Sequence, residues 1–479
     1  MRDRSVPRID VVVVGGGISG LAAAWALLRD GGPALRVTVL EAATSIGGKL
    51  ALTEVGGRTV DAGAESMLAR RPEGLALAEA VGLGDQIEHP TVEGAAVWTR
   101  GVLRGMPRGL VMGIPTDLRA LAASQVLSWR GLLRIPLDHV WRPTPVDGDI
   151  AIGALVATRI GREVVDRLVE PLLGGVYAGH ADEISLDAAL PQLAGAIRVE
   201  RSLLTAAARQ VAGQTGAGPL FATLRGGLAG LPVAVAARLR ADGVEIRTAS
   251  TVRELSRTPD GGWQVVVGES RSALQLRADA VVLAVPAAPA ARLLAGVLPS
   301  AALDLAAIEY ASVAIVTAVL PATGNGALAG TGFLVPPLEG LTVKAATFSS
   351  SKWGWVRAQD PERAVVRMSI GRHREEGDLQ RSDEELASVA LSDLAKVTGF
   401  ERPPVDAVVN RWGGALPQYA VGHIDRIDRI RGAVEAAPGL AVCGAAYDGV
   451  GVPACIASAE RAAGHLLRRL GERRQWGHG

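Results

Sequence analysis

The chain has 479 residues, 48% of them hydrophobic and 21% charged, and 50 Lys+Arg stand against 49 Asp+Glu for a formal net charge of +1. That length suits two or three domains with ample core, and the composition excludes wholesale disorder, a fibre and a disulfide miniprotein. So neutral a balance offers polyanions no field, so nucleic acid is not an expected partner; only four of the 50 basic residues are lysine, an arginine bias that reads as codon usage.

Taken in chain order, the opening MRDRSVPRID is too polar for a signal peptide, so a cytoplasmic protein is expected. Val11 to Leu28 carries no charge and approaches bilayer-spanning length. Its order is β-branched residues, three glycines, then an Ala/Leu run, which predicts strand, tight turn and helix instead. Gly15, Gly17 and Gly20 fit G-x-G-x-x-G between a predicted strand over 9–14 and a helix over 18–29. A second strand over 36–40 ends at Glu41, 21 residues after Gly20. This is the dinucleotide-binding unit: Gly15 allows the turn, Gly17 lets a pyrophosphate approach the backbone, Gly20 lets helix and strand pack, and Glu41 accepts ribose hydroxyls. An acid there argues against a 2′-phosphate.

A Gly47-Gly48-Lys49 run follows, where a plain nicotinamide domain would begin its next helix. Farther on, 226–267 predicts helix, strand and a hairpin through 259–262, and DAVVLAVP over 279–286 returns as a strand. No second G-x-G-x-x-G with a downstream acid appears, so a second, nicotinamide-binding domain of the disulfide-reductase kind is not expected. Near the C-terminus, GLAVCGAAYDGVGVPACIASAERAAGHLL predicts a strand over 440–443, a Gly-rich turn and a long helix from Pro453. Other chemistries find no support. The seven histidines (His89, His139, His180, His373, His423, His465 and His478) show no i, i+4 pair, Cys443 and Cys455 have no zinc-ligand spacing, and there is no G-x-S-x-G. No metal is expected.

The Gly-Gly-Lys run and the C-terminal strand–turn–helix resemble the flavin-containing amine oxidase superfamily. Within it, EPLLGGVYAGHADEISL, TFSSSKW, RMSIGR, LPQYAVGH and CGAAYDGVGVP, in that order, resemble the soluble, Gram-positive branch of the oxygen-dependent protoporphyrinogen/coproporphyrinogen oxidases. The resemblance implies FAD as cofactor. It implies that Gly15, Gly16, Gly17, Ile18, Ser19 and Gly20 hold the phosphates, with Glu41, Ala42, Gly48 and Lys49 beside them. Gly63, Ala64 and Glu65 complete the cofactor site, and the backbone of Val252 meets the adenine. Gly444, Gly449, Val450, Gly451 and Val452 would lie under the isoalloxazine.

The same resemblance implies oxidation of coproporphyrinogen III to coproporphyrin III, a six-electron reaction using three dioxygen molecules and releasing three H2O2, within haem biosynthesis. Protoporphyrinogen IX, or another reaction of the superfamily, is the alternative. The backbone at Gly175 in GGVYAG is expected near the reacting carbon. Arg70, Arg71 and Lys352 are expected to meet substrate propionates, with Lys344, Arg372 and Arg411 as further candidates, and Phe333 and Leu334 to form an apolar wall. The chain departs from the eukaryotic pattern by carrying Ala95 where those enzymes place a propionate-binding arginine. The stretch 100–142, rich in Trp and Arg, is expected to be a soluble helical lid with at most peripheral membrane contact. A downstream ferrochelatase is suggested by pathway logic alone.

The expected fold is α/β plus α+β. A Rossmann-like FAD-binding domain is assembled from discontinuous segments 1–75, 216–290 and 425–479. A helical domain covers 91–215, and a substrate domain with an antiparallel sheet and helices covers 76–90 and 291–424.

Overall fold

The computed structural model describes residues 8–140, 148–212, 218–268, 273–321 and 328–476. The opening MRDRSVP and Trp141, Arg142 and His478, noted in the sequence, lie outside the described residues.

Val11, Val12, Val13 and Val14 are the last four residues of the opening strand, Ile9–Val14, and all four are buried. Such a run requires cover on both faces of the sheet, as parallel strands have. Val11 and Val13 face a core shared by the helices Ile18–Gly31, Gly230–Ala241 and Val452–Trp476. Val12 and Val14 face the helices Ala287–Leu294, Pro299–Ala306 and His423–Glu435. The sheet is parallel throughout, in the order Glu245–Arg247, Leu35–Leu40, Ile9–Val14, Ala280–Leu283, Leu440–Val442. Its strands thus come from three stretches far apart in sequence. Since the opening strand lies between neighbours added on opposite sides, the turn that follows it sits where strand order reverses, the position at which open α/β sheets bind ligands. Asp61, almost fully buried, joins two of these stretches by accepting the backbone N–H groups of Leu228 and Ala229 at 3.1 and 3.2 Å.

A second sheet of seven strands runs Asp406–Pro417, Tyr310–Pro321, Arg363–Ile370, Val343–Phe348, Gly332–Leu334, Ala95–Thr99, Val102–Gly105. Its pairings are antiparallel except where Gly332–Leu334 lies parallel to Ala95–Thr99. One face packs on the helix Asp383–Thr398, started by a Ser382/Glu385 capping box. The stretch 100–142, expected to be a helical lid, instead opens with the second arm of a hairpin, Ala95–Thr99 and Val102–Gly105, that joins the edge of this sheet through the buried Val97 and Trp98. Short helices follow at Leu118–Ser124 and Trp129–Arg134.

A third core, mostly helical, gathers Ile152–Ile160, Glu170–Tyr177, Pro191–Ile197 and Leu203–Ala212. Inside it Arg159 and Asp138 form a buried ion pair at 2.6 Å, with the Ser202 hydroxyl donating to the other Asp138 oxygen. No described helix is long and apolar enough to cross a membrane.

Candidate active site

The glycine turn is built by backbone contacts that allow no side chain. Gly15 has φ +112°, and a Cβ there would stand 2.5 Å from the Ala284 carbonyl oxygen; a Cβ on Gly20 would overlap the Gly15 carbonyl. Gly17 differs, because a Cβ there would meet nothing within 4 Å. The turn is thus closed toward the protein and open at Gly17, the N-cap of the helix Ile18–Gly31, which has no side-chain cap and no acid in its first turn. Free N–H groups at a positive helix end, with a clear approach, suit a pyrophosphate.

Glu41 is held in place by its own neighbours. One carboxylate oxygen accepts the Gly16 N–H at 2.6 Å and the other the Ala43 N–H at 2.7 Å, leaving lone pairs on both for ribose hydroxyls. Its backbone is fixed by Arg247 and Ser250, which brings the 245–252 stretch, including Val252 at the head of its strand, to the same place. Gly47 bonds its N–H to the Gly16 carbonyl at 2.9 Å and bridges to Gly17, which brings Gly48 beside the open floor, where a Cβ on it would stand 3.5 Å from the Gly17 Cα. Gly47 was outside the expected set; its signal was the doubled glycine itself, and its φ of +106° shows the need.

The C-terminal stretch arrives at the same turn. Gly444 lies against Ser19, its N–H bonded to the Ser458 hydroxyl at 3.1 Å, and the helix Val452–Trp476 starts immediately after Gly449, Val450 and Gly451 without an acid in its first turn. Lys49 extends toward this helix and the Tyr310 ring; burial lowers its ammonium, and no described carboxylate pairs with it. Gly63 abuts the Lys49 carbonyl and the Trp412 ring, and Ala64 is exposed beside it. Open phosphate turn, preset acid, a second helix N-terminus and an uncompensated lysine together fit FAD.

Glu65 is the centre of a buried ionic cluster. It accepts from Lys352 at 2.9 Å, from Arg367 at 2.8 Å and from the Ser349 hydroxyl at 3.1 Å. Burial pushes its carboxyl up, but the two cations outweigh this and hold it below the usual carboxylate range. Arg367 also bonds the Gly63 carbonyl, so the large sheet grips the cofactor-side segment directly. Lys352, expected to meet substrate, is instead spent on Glu65.

Across the middle of the seven-stranded sheet, Leu334, Ala345, Ser369 and Ile315 stand in register on adjacent strands, and all four are partly exposed. Partial exposure in the interior of a wide sheet means that this row borders open space. Over it lies the helix Glu170–Tyr177, which contains Gly174 and Gly175 of GGVYAG, while Gly179 lies beyond its end. Gly175 is exposed, and a Cβ there would sit 3.7 Å from Leu334. Two expected residues, Gly175 and Leu334, are thus brought together. Phe333 is not with them: adjacent strand residues point to opposite faces, and Phe333 is buried in the core, 6.0 Å edge-on from Phe348.

The end of the Gly175 helix is tied down by groups that the sequence did not single out. Gln418 donates to the Tyr177 carbonyl at 2.8 Å, His373 donates its backbone N–H to Ala178 at 2.7 Å, and Ala178 takes a left-handed φ of 51°. Glu170 accepts from His180 at 3.0 Å and from the Ala181 N–H at 2.6 Å, and this bond raises the His180 imidazole to about 9. Glu170 and His180 lie in the EPLLGGVYAGHADEISL stretch and Gln418 in LPQYAVGH, and His373 directly follows RMSIGR, which is the one signal the sequence carried for them.

Arg71 caps the helix Pro72–Ala80 and is paired with Glu73 at 2.6 Å, while Arg70 is exposed just before it. Ala95 heads its strand beside Gly332. Arg411 lies on the outer edge, paired with Asp383. Both cysteines are free and buried, and no group of side chains suited to a metal occurs among the described residues.

Comparison with known proteins places this geometry. The family model for "Flavin containing amine oxidoreductase" matches residues 18–467. The chain is 37% identical over 462 residues to the coproporphyrinogen III oxidase of Mycobacterium tuberculosis H37Rv, covering 96% of this chain and 97% of the other. It is 30% identical over 472 residues to that of Bacillus subtilis strain 168, covering 96% and 98%. A solved chain from Exiguobacterium sp. 255-15, provisionally named a protoporphyrinogen oxidase, superposes with a TM-score of 0.85 at 32% identity, covering 97% of this chain and all of that one.

Proposed function

Because the chain belongs to the flavin containing amine oxidoreductases, we propose that it oxidises coproporphyrinogen III to coproporphyrin III, with FAD as cofactor and dioxygen as acceptor. The observation that carries the substrate assignment is the full-length likeness to enzymes of that name. FAD, when bound, supplies the two-electron acceptor that is then reoxidised by oxygen.

The chain's part is to bind, orient and enclose. The Gly17 helix end and Glu41 would hold the dinucleotide, and the Val452 helix end and Lys49 would supply positive potential beside it. The floor of Leu334, Ala345, Ser369 and Ile315 is apolar but for one hydroxyl, as a flat macrocycle requires. Above it, Gly175 sits in the last turn of its helix, where carbonyls lack helical partners and carry the negative end of the dipole. Its carbonyl is the acceptor for a pyrrole N–H; no stronger base is needed, since the neighbouring pyrroles stabilise the charge left by hydride loss. Arg70, exposed just before Arg71, is the proposed contact for a propionate at the mouth.

In the same reading 1–75, 216–290 and 425–479 form the FAD domain, 91–215 the helical domain apart from its opening hairpin, and 76–90 with 291–424 the substrate domain. A cytoplasmic location belongs to this proposal, with the exposed Trp129, Leu133 and Val140 resting at most on a membrane surface.

The test is porphyrin fluorescence in air, with coproporphyrinogen III and protoporphyrinogen IX supplied side by side to flavin-loaded protein. A higher kcat/KM for coproporphyrinogen III is expected. Preference for protoporphyrinogen IX would overturn the substrate assignment, and turnover of neither would overturn the reaction.

A further inference from the structure

Of the four candidate cations beyond Arg70 and Arg71, two are already neutralised. Lys352 is 2.9 Å from Glu65, and Arg411 is 2.7 Å from Asp383 and also donates to the Leu379 and Arg381 carbonyls. Lys344 and Arg372 are different. Lys344 is 5% exposed, its ammonium donates to the Gly371 carbonyl at 2.6 Å, and no described carboxylate pairs with it. Arg372 is 8% exposed, donates to the Val335 carbonyl at 3.1 Å, and has Glu375 only at 4.0 Å. The nearby Glu170 carboxylate is committed to His180 and the Ala181 N–H.

Two neighbouring buried cations, one with no paired carboxylate among the described residues and the other with its carboxylate at 4.0 Å, are costly. Burial, reinforced by Arg372, pushes the Lys344 ammonium down to about 7, and burial lowers Arg372 as well. A cation pair kept under such strain is explained if an anion joins it during the working cycle.

Its place in the fold says which anion. Val335 donates its N–H to the Lys344 carbonyl at 2.8 Å, and Lys344 is the extra residue of a bulge between Val343 and Ala345, so strict alternation of faces is broken there and Lys344 stands one residue beyond the Leu334–Ala345 rung of the open floor. The overlying helix spans the two points: Gly175 is beside Leu334, while the charge of Glu170 acts on Arg372. Five residues of helix are about 7.5 Å along its axis, within the reach of a pyrrole ring carrying its propionate arm.

We propose that Lys344 and Arg372 form an anion subsite for one carboxylate of the substrate, which under the function proposed above is a propionate of coproporphyrinogen III. The assignment rests on that reading. The guanidinium offers a planar fork and the ammonium its two remaining N–H groups, so one carboxylate satisfies both.

The experiment compares wild type with Lys344→Met, Lys344→Gln and Arg372→Gln, all flavin-loaded. It measures the Kd of coproporphyrin III by fluorescence titration, KM and kcat for coproporphyrinogen III, and the thermal midpoint. Each substitution is expected to raise Kd and KM about tenfold, equivalent to about 1.4 kcal/mol, with kcat changed less than about twofold. Lys344→Met is also expected to raise the thermal midpoint, because it removes a buried charge. A lysine serving only to hold Gly371 would do the reverse: a lower midpoint with unchanged Kd overturns the subsite. Unchanged Kd and KM in Arg372→Gln overturn it even if both lysine variants fail to fold. If wild type neither binds nor turns over the porphyrin compounds, the functional reading falls and the subsite with it, whereas normal wild-type turnover with unaltered variants sinks the subsite alone.

Discussion

At the residue scale, the site depends on a few groups whose environment dictates their state. His180 is the clearest. Its bond to Glu170 raises the imidazole from 6.5 to about 9, so the protonated form is the one that the folded chain favours. The stabilisation is therefore complete below pH 6.5, declines as pH rises, and is lost above about 9. The thermal midpoint of wild type is expected to fall across that window relative to His180→Gln, and melting curves between pH 6 and 10 check this; parallel curves would contradict it. Gly20 is as clear in the opposite sense. Its missing Cβ is what lets the helix sit against the Gly15 carbonyl, and Gly20→Ala is expected to cost most of the bound flavin, read from the absorbance ratio of purified protein.

Single residues matter at the element scale when they lock one element to another. Glu65 sits on the segment that follows the hairpin Leu52–Val55/Arg58–Asp61, while Arg367 and Lys352 belong to the large sheet and the short helix Ser349–Lys352. The three side chains are nearly buried, at 12%, 7% and 12% exposure. Removing the shared anion would strand two cations, and breaking a buried pair costs about 3 kcal/mol or more. Glu65→Gln should accordingly lower stability by that order in denaturant titration and loosen Gly63 beside the cofactor. A loss under about 1 kcal/mol would show that the cluster is solvated and contributes little.

Over the whole molecule, the parallel sheet is closed only when its last strand, Leu440–Val442, joins Ala280–Leu283. The helix Val452–Trp476 then covers Ile18–Gly31 through Ala459, Ala463 and Leu466, small and branched residues that allow close packing. A chain ended after Ala437 lacks both, and it should be insoluble or free of flavin even though the entire G-x-G-x-x-G turn is present. Recovery of a soluble, yellow truncated protein would refute the idea that the cofactor site is completed from the C-terminus.

Much of this was legible in the sequence, and the reason is local. A run of four valines, a glycine turn and an acid at fixed spacing carry their geometry within about 30 residues, because strand burial, the left-handed φ of Gly15 and the reach to Glu41 are short-range requirements. The motifs recognised farther along pointed to the family for the same reason. What the sequence could not specify was which distant groups would meet. Lys344, Lys352, Arg372 and Arg411 are four equivalent-looking cations, and only the sheet register and the chain crossings decide that Glu65 neutralises one, Asp383 another, and that no described carboxylate neutralises Lys344. Phe333 and Leu334 are neighbours in sequence, yet the two-residue period of a strand sends one into the core and the other to Gly175. Local requirements determined the cofactor turn; side-chain partnership, which depends on long-range pairing between strands and helices hundreds of residues apart, was decided only by the tertiary structure.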